Sequence, residues 1–380
     1  MVHTPAHSGI GGALTYLSDS PLEAGTLVRV PLGARDTLGV VWEDADTPQN
    51  LPAHSIKPIA SVLGGVAALP KAWRQLVSFA ASYYQRSAGE VALAALPNQL
   101  RELSAEQWAR RLKSKKASNT PPSHTATQGA PLPQLTEEQN ETLRAVATQP
   151  GPFLLYGNTG SGKTEVYLRA AQAQLEQDAS AQVLVMVPEI NLTPQLEARF
   201  RERFAPQWGD DCLVALHSGL TPAQRLKNWL SAHTGHARIV LGTRMAVFAS
   251  LPHLKLIVVD EEHDPSYKQQ EGARYSARDL AVYRGQLENA KVILGSATPS
   301  LESWHHSRSA SAEQSAGRYM RLHMPSRIGQ GALPLVRRVD MNRQPYKTVF
   351  SAPLLDAMRE RVARGEQTLV LLNRRGYAPV

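Results

Sequence analysis

The chain has 380 residues, with 41 Lys or Arg against 33 Asp or Glu, for a formal charge of +8. That length suits two or three domains, each with its own core, and the basic excess favours a polyanionic partner such as nucleic acid. Cys212 is the single cysteine, which excludes an internal disulfide framework and a cysteine cage for zinc. With no apolar run long enough to span a bilayer and no secretory pattern over Met1–Tyr16, a soluble cytoplasmic protein with no membrane partner is expected.

Residues 1–101 read as a small β-rich domain. Leu27-Val28-Arg29-Val30-Pro31 and Leu38-Gly39-Val40-Val41-Trp42 are short strand-like runs around a turn at Gly33-Ala34-Arg35-Asp36. From Trp73 to Tyr84 apolar residues recur at helical spacing. Residues 102–134 open with a basic, helix-like stretch carrying Arg110, Arg111, Lys113, Lys115 and Lys116. They continue as a Pro/Ser/Thr/Gln-rich linker, Asn119 to Pro133, too poor in apolar residues to build a core.

Over residues 135–330 the pattern becomes α/β. Apolar runs stand at Phe153–Tyr156, Val183–Val187, Leu213–Leu216, Ile239–Leu241, Leu256–Val259 and Val292–Leu294, several of them separated by helical patterns. Unbroken apolar runs suit strands buried on both faces of a parallel sheet. Alternation with helices predicts a doubly wound domain. Residues 331–380 read as the start of a second such unit, with a helical pattern from near Ser351 and a strand at Thr368–Leu372. The sequence stops eight residues after that strand, before such a unit is complete.

Gly157-Asn158-Thr159-Gly160-Ser161-Gly162-Lys163-Thr164 fits the P-loop pattern, with an apolar strand before it and a helical pattern after it. Glycines there let backbone N–H groups face phosphates, and the helix N-terminus adds partial positive charge. Lys163 is expected on the β- and γ-phosphates of ATP, and Thr164 on Mg²⁺. The site also needs an acid at the end of a buried strand, and Leu256-Ile257-Val258-Val259-Asp260-Glu261-Glu262-His263 supplies it. Asp260 is expected to hold Mg²⁺ and Glu261 to polarise the attacking water. His263 is read either as a coupling residue or as a hydrogen-bonded structural histidine.

Asp260-Glu261-Glu262-His263, followed by Gly295-Ser296-Ala297-Thr298-Pro299, resembles motifs II and III of superfamily 2 helicases. The resemblance sharpens to the PriA family through six segments: Val187 to Gln195, His217-Ser218-Gly219-Leu220, Gly242-Thr243-Arg244, Asp264 to Gly272, and Leu372-Asn373-Arg374-Arg375-Gly376-Tyr377-Ala378-Pro379, together with the acidic box itself. It is strong from about Leu135 onward and weaker over the first hundred residues. The fold it implies is a RecA-like P-loop lobe preceded by a domain that binds a 3′ DNA end. The implied activity is ATP-dependent 3′-to-5′ unwinding in the replication-restart primosome. ATP and Mg²⁺ are the implied cofactors. Single-stranded and forked DNA, primosome proteins and single-strand-binding proteins are the implied partners.

The same resemblance assigns residues. Gln139 takes the place of an adenine-reading glutamine, its alternative being a solvated side chain behind an N-cap at Thr136. Gly33 and Lys57 fall where the 3′-end pocket is expected, but Thr15 stands in place of the family's acidic residue. Thr243, Arg244, Ser296 and Thr298 belong to motifs that contact DNA or couple it to hydrolysis. Tyr267 to Arg278 resembles an aromatic-rich coupling loop, in which Tyr267 and Tyr275 stack on bases and Lys268, Arg274 and Arg278 meet phosphates. Ala273 stands where the family usually has tryptophan, and the alternative for this loop is a solvated turn with its tyrosines packed inward. The second-lobe arginines and zinc-binding cysteine clusters of the family are expected after Val380, so no zinc is expected in this chain. The competing function is a non-catalytic truncated product that binds forked DNA and nucleotide without turnover.

Overall fold

The computed structural model describes residues 13–42, 56–116, 132–189, 194–310, 315–329, 335–345 and 348–372. The motif residues Ile190 to Thr193 and Asn373 to Pro379, and most of the linker, lie outside the described residues. The chain divides into two compact units, Met1–Ile328 and Gly329–Val380.

The first unit opens with a small antiparallel sheet in the order β2-β1-β3. Strand β1 (Leu27–Leu32) pairs with β2 (Arg35–Val40), and β3 (Ser61–Val62) adds to the other edge of β1. The hairpin is tighter than the sequence suggests, because Arg35 and Asp36 pair with Leu32 and Pro31. Only Gly33 and Ala34 turn the chain, and Gly33 has φ +65, the left-handed conformation required at the first position of a type II′ turn. Four helices follow: α1 (Lys71–Tyr83), α2 (Ala88–Ala95), α3 (Asn98–Glu102) and α4 (Ala105–Lys116). The front region is thus at least as helical as it is β. Buried Arg29 on β1 donates to the carbonyls of Leu100 and Arg101, each at 2.6 Å, and also to that of Leu103, tying the sheet to the exit of α3.

The larger part is a seven-stranded parallel sheet in the order β10-β4-β9-β8-β5-β7-β6. Its strands are β4 (Phe153–Gly157), β5 (Gln182–Met186), β6 (Leu213–Leu216), β7 (Ile239–Gly242), β8 (Leu254–Val259), β9 (Lys291–Ser296) and β10 (Met320–Met324). Helices α5 (Glu137–Thr148), α6 (Lys163–Gln177), α7 (Pro194–Trp208), α8 (Pro222–His233), α9 (Ala277–Glu288) and α10 (Leu301–His306) connect or cover them. The six apolar runs are strands because both faces are covered: alternate residues of β4, β5 and β8 fall into two separate apolar clusters. β10 is an edge strand and shows no such run, since its Met320 and His323 are exposed.

One of those clusters runs without a break from the sheet into the front helices, joining Leu184, Val240 and Ile257 to Trp73, Leu76, Val91 and Trp108. Trp73 Nε1 donates to the Phe248 carbonyl at 2.7 Å across the same boundary. In the second unit α11 (Ala352–Ala363) starts at Ser351, whose Oγ accepts the Leu354 N–H. The expected strand at Thr368–Leu372 does not form, and Leu369 and Leu371 are 97% and 91% exposed. A strand needs a neighbour to take its backbone hydrogen bonds, and this unit has no strand among the described residues. No helix among the described residues is long and apolar enough to cross a membrane.

Candidate nucleotide site and its coupling loop

Strand β4 delivers Gly157 at its C-terminal end, and α6 begins at Lys163 behind Gly162, a left-handed N-cap at φ +85. A Cβ on Gly157 would lie 2.7 Å from Ser161 Oγ, and one on Gly162 would overlap the Gln139 side chain. The loop is therefore closed so tightly that only glycine fits at its two framing positions. Lys163 is nearly buried, and its Nζ donates to the Gly157 carbonyl at 2.8 Å and lies 3.5 Å from that of Asn158. Ser161 Oγ is buried with no hydrogen-bond partner. Thr159 and Gly160 are exposed and Thr164 is half-buried. The Asn158 side chain donates to the Pro325 carbonyl, and the Ile328 N–H donates to that of Gly160 at 2.9 Å, so the segment after β10 braces the loop.

Thr136 caps α5 as expected, but Gln139 behind it is not the solvated side chain of that alternative. It is the third residue of α5 and forms a reciprocal capping box with Thr136: its N–H donates to Thr136 Oγ1 at 3.2 Å, and its Oε1 accepts the Thr136 N–H at 2.9 Å. Its Nε2 donates to the Gly162 carbonyl at 3.2 Å, and the residue is 1% exposed. The side chain is thus buried against the phosphate loop rather than solvated, and both ends of its amide are already in use.

The acidic turn leaves the end of β8 beside this loop. Asp260 Oδ1 accepts the Tyr167 hydroxyl at 2.9 Å, and the Asp260 carbonyl accepts that of Tyr267 at 2.7 Å. Burial raises the Asp260 carboxyl above its ordinary range, with the Tyr167 hydrogen bond acting against that rise. Burial and the neighbouring Asp260 carry the Tyr167 hydroxyl well above its own. Tyr167 lies one helical turn beyond Lys163 on the same face of α6, a spacing that points to the site once the P-loop is placed. Gly295 makes room for it, since a Cβ there would overlap the Tyr167 hydroxyl. Glu261 sits at φ +46, a left-handed conformation uncommon for a residue with a side chain.

His263 joins the acidic turn to the end of β9 and the turn after it. Its Nδ1 lies 2.7 Å from Ser296 Oγ and 3.7 Å from Glu261 Oε2, and its Nε2 lies 3.4 Å from Thr298 Oγ1. Ser296 is fully buried, so it belongs to this internal network and presents nothing to a DNA strand. Glu262, which had no expected role, is 1% exposed. It accepts from the Ser300 N–H at 2.7 Å, Ser300 Oγ at 3.0 Å, Ser303 Oγ at 2.8 Å and Arg278 at 3.3 Å. No local spacing announces that role, because its partners lie on other elements.

The loop from Tyr267 to Arg278 corrects three expectations. Tyr267 and Tyr275 are 2% and 4% exposed, so neither ring face is offered to a base. Tyr275 packs edge-on against Phe248, and Tyr267 spends its hydroxyl on Asp260. The inward-packed alternative describes both rings, because large aromatic side chains gain more from burial than from an exposed loop tip. Arg278 pairs with Glu262, Asp279 and Ser300 rather than standing free. Lys268 and Arg274 are exposed. Thr243 is buried, and Arg244 donates to the carbonyls of Ser266 at 2.7 Å and Lys268 at 3.2 Å, holding the base of the loop. In the front region Gly33, Lys57 and Thr15 are all exposed, and a Cβ on Gly33 would meet nothing within 4 Å.

Residues 136–306 match the family described as DEAD/DEAH box helicase, and residues 2–97 match the 3′ DNA-binding domain. Replication restart protein PriA of Bacillus subtilis is 39% identical over 256 residues, covering 65% of this chain and 30% of that protein. PriA of Synechocystis sp. is 43% identical over 263 residues, covering 68% of this chain and 30% of that protein. PriA of Rickettsia conorii is 33% identical over 371 residues, covering 97% of this chain and 52% of that protein. The chain spans about half the length, or less, of these relatives. With a front domain and a helicase domain of these two kinds in this order, and relatives aligned along nearly all of its residues, the chain belongs to the PriA family.

Proposed function

We propose that this chain supplies the DNA-end-binding domain and the first ATP-binding lobe of a 3′-to-5′ DNA helicase that acts in replication restart. The domain assignment within that reading is 1–101 for the DNA-end domain and 102–134 for a basic helix and linker. It continues with 135–330 for the first motor lobe and 331–380 for the start of the second. Lys163 and the N–H groups of Thr159 to Thr164 hold the phosphates of ATP, Thr164 and Asp260 hold Mg²⁺, and Glu261 orients the attacking water. The buried, unpartnered Ser161 Oγ and the glycine-only turns at Gly157 and Gly162 fit a phosphate cradle. When bound, Mg²⁺ supplies charge neutralisation on the phosphates. Gln139 acts from the floor of the loop, by exchanging a backbone partner for the base.

Forked and single-stranded DNA is the substrate of this reading, met by Gly33 and Lys57 in the front region and by Lys268 and Arg274 on the coupling loop. Primosome and single-strand-binding proteins are the further partners it implies. One observation carries it: the phosphate loop, the acidic turn and the His263–Ser296–Thr298 contacts converge at the ends of β4, β8 and β9, joined through Tyr267 to a loop that rests on the DNA-end domain. The test is ATP hydrolysis and strand displacement on forked duplexes with 3′ or 5′ tails, for the wild type and Lys163→Ala. DNA should stimulate hydrolysis in the wild type, and the substitution should lower the stimulated rate on the order of a hundredfold or more. Hydrolysis that ignores DNA, or that survives Lys163→Ala, removes the reading.

A further inference from the structure

The coupling loop is gripped by the front domain at its neck. Lys268 and Ser276 form an antiparallel bridge that closes the loop, and the Gln269 N–H donates to the Tyr275 carbonyl at 2.9 Å just inside it. Tyr84, the C-cap residue just after α1, touches both sides of that bridge. Its hydroxyl oxygen accepts the Ser276 N–H at 3.0 Å, and the Lys268 ammonium lies 5.2 Å from its ring centroid, a cation–π distance. The loop tip comes close to the same domain, since a Cβ on Gly272 would lie 3.3 Å from Glu90 Oε1 on α2. From the neck the path to the nucleotide site is short. Tyr267 adjoins Lys268 and donates to the Asp260 carbonyl, and Arg278 begins α9 two residues after Ser276 and pairs with Glu262.

We propose that Tyr84 is a positioning residue: it clasps the neck of the loop Lys268–Ser276 and passes the state of the DNA-end domain to the acidic turn. The inference rests on reading the site as a DNA-dependent ATPase. Tyr84 touches neither nucleotide nor metal in that reading. Its ring and hydroxyl act on the loop separately, so Tyr84→Phe keeps the surface under Lys268 and deletes only the acceptor for Ser276, whereas Tyr84→Ala deletes both.

Two readouts test it on the wild type, Tyr84→Phe and Tyr84→Ala. Amide exchange should accelerate at Ser276 by about fivefold in Tyr84→Phe, the loss of one net hydrogen bond, and should spread through residues 268–276 in Tyr84→Ala. ATPase assays should show a several-fold drop in the DNA-stimulated kcat, with the DNA-free rate, the KM for ATP and the melting temperature of Tyr84→Phe held near wild type. Unchanged Ser276 exchange overturns the clasp, and faster exchange with wild-type stimulation reduces Tyr84 to a packing residue. A wild type that DNA does not stimulate fails the ATPase reading itself, and this inference with it; a stimulated wild type with an equally stimulated Tyr84→Phe fails only the inference.

Discussion

At Asp260 the role proposed for the residue is set against stability. Its carboxyl is held at the end of β8 between Tyr167 and the backbone, and burial raises its pKa above the unfolded value. The folded state therefore holds the Asp260 proton more tightly than the unfolded chain does. A raised carboxyl destabilises the fold once the pH exceeds the folded pKa, and that penalty fades as the pH falls toward the unfolded value. Asp260→Asn keeps an acceptor for the Tyr167 hydroxyl and removes the charge. We expect it to raise the denaturation midpoint at about pH 7, with the gain over wild type shrinking toward about pH 4, and to abolish ATP turnover. Denaturant titrations at the two pH values check it, and a variant less stable than wild type at neutral pH contradicts it. The residues of this site differ in how openly the sequence shows them. Lys163 and Thr164 stand out because they close a short glycine-rich pattern, and Asp260 because it ends an apolar run. Tyr167 is legible only after Lys163 is placed, and Tyr84 and Glu262 are not, since their partners are far away in the chain.

At the scale of elements, Glu262 is the point where β8, α9 and α10 are tied together. Its four hydrogen bonds come from three residues, Arg278 at the start of α9 and Ser300 (through both N–H and Oγ) and Ser303 at the start of α10. A buried carboxylate with its partners intact is tolerated, but removing one side of such a network leaves polar groups stranded. Glu262→Ala should cost about 3 kcal/mol or more of stability, since Arg278 would lose its buried partner. Urea unfolding of the variant measures this, and a cost below about 1 kcal/mol would place the network among weak surface pairs. The legibility of elements follows the same division between local and remote causes. β4, β5, β8 and β9 are visible as apolar runs because helices cover both their faces. β10 is hidden because an edge strand with exposed Met320 and His323 has no reason to be uniformly apolar. Thr368–Leu372 shows the converse: its composition is that of a strand, yet composition cannot supply the neighbour that a ladder needs.

The joint between the front region and the sheet determines how the first unit behaves as a whole. One apolar cluster crosses it, from Trp73 and Leu76 to Val247 and Ile257, so the two parts should unfold together rather than as beads on a string. His233, at the end of α8, is the polar element of that joint. It is 2% exposed, its Nε2 lies 2.9 Å from the Ala67 carbonyl, its Nδ1 lies 2.8 Å from Ser250 Oγ, and its ring stacks on Trp229. A carbonyl only accepts, so Nε2 carries the proton and Nδ1 receives the Ser250 hydroxyl: the neutral ring satisfies both contacts. Burial lowers its pKa below the ordinary value of 6.5. The unfolded chain therefore takes up a proton at a higher pH than the folded protein does. The stabilising contribution of His233 is fully present above 6.5 and is lost as pH falls from there toward the folded pKa. His233→Gln can offer a donor to Ala67 and an acceptor to Ser250 but cannot titrate. It should be less stable than wild type at about pH 7.5, by roughly 1 kcal/mol or more. Between about pH 7.5 and about pH 5 its denaturation midpoint should fall less than that of wild type, the carboxylate titrations being common to both. The measurement is a matched pair of urea titrations followed by tryptophan fluorescence and by far-ultraviolet dichroism. Parallel pH profiles for the two proteins would show that His233 takes up its proton equally in the folded and unfolded states and contributes nothing to the acid sensitivity of the joint. Separate transitions for the two probes in wild type would show that the shared core does not make the front helices and the sheet one cooperative body.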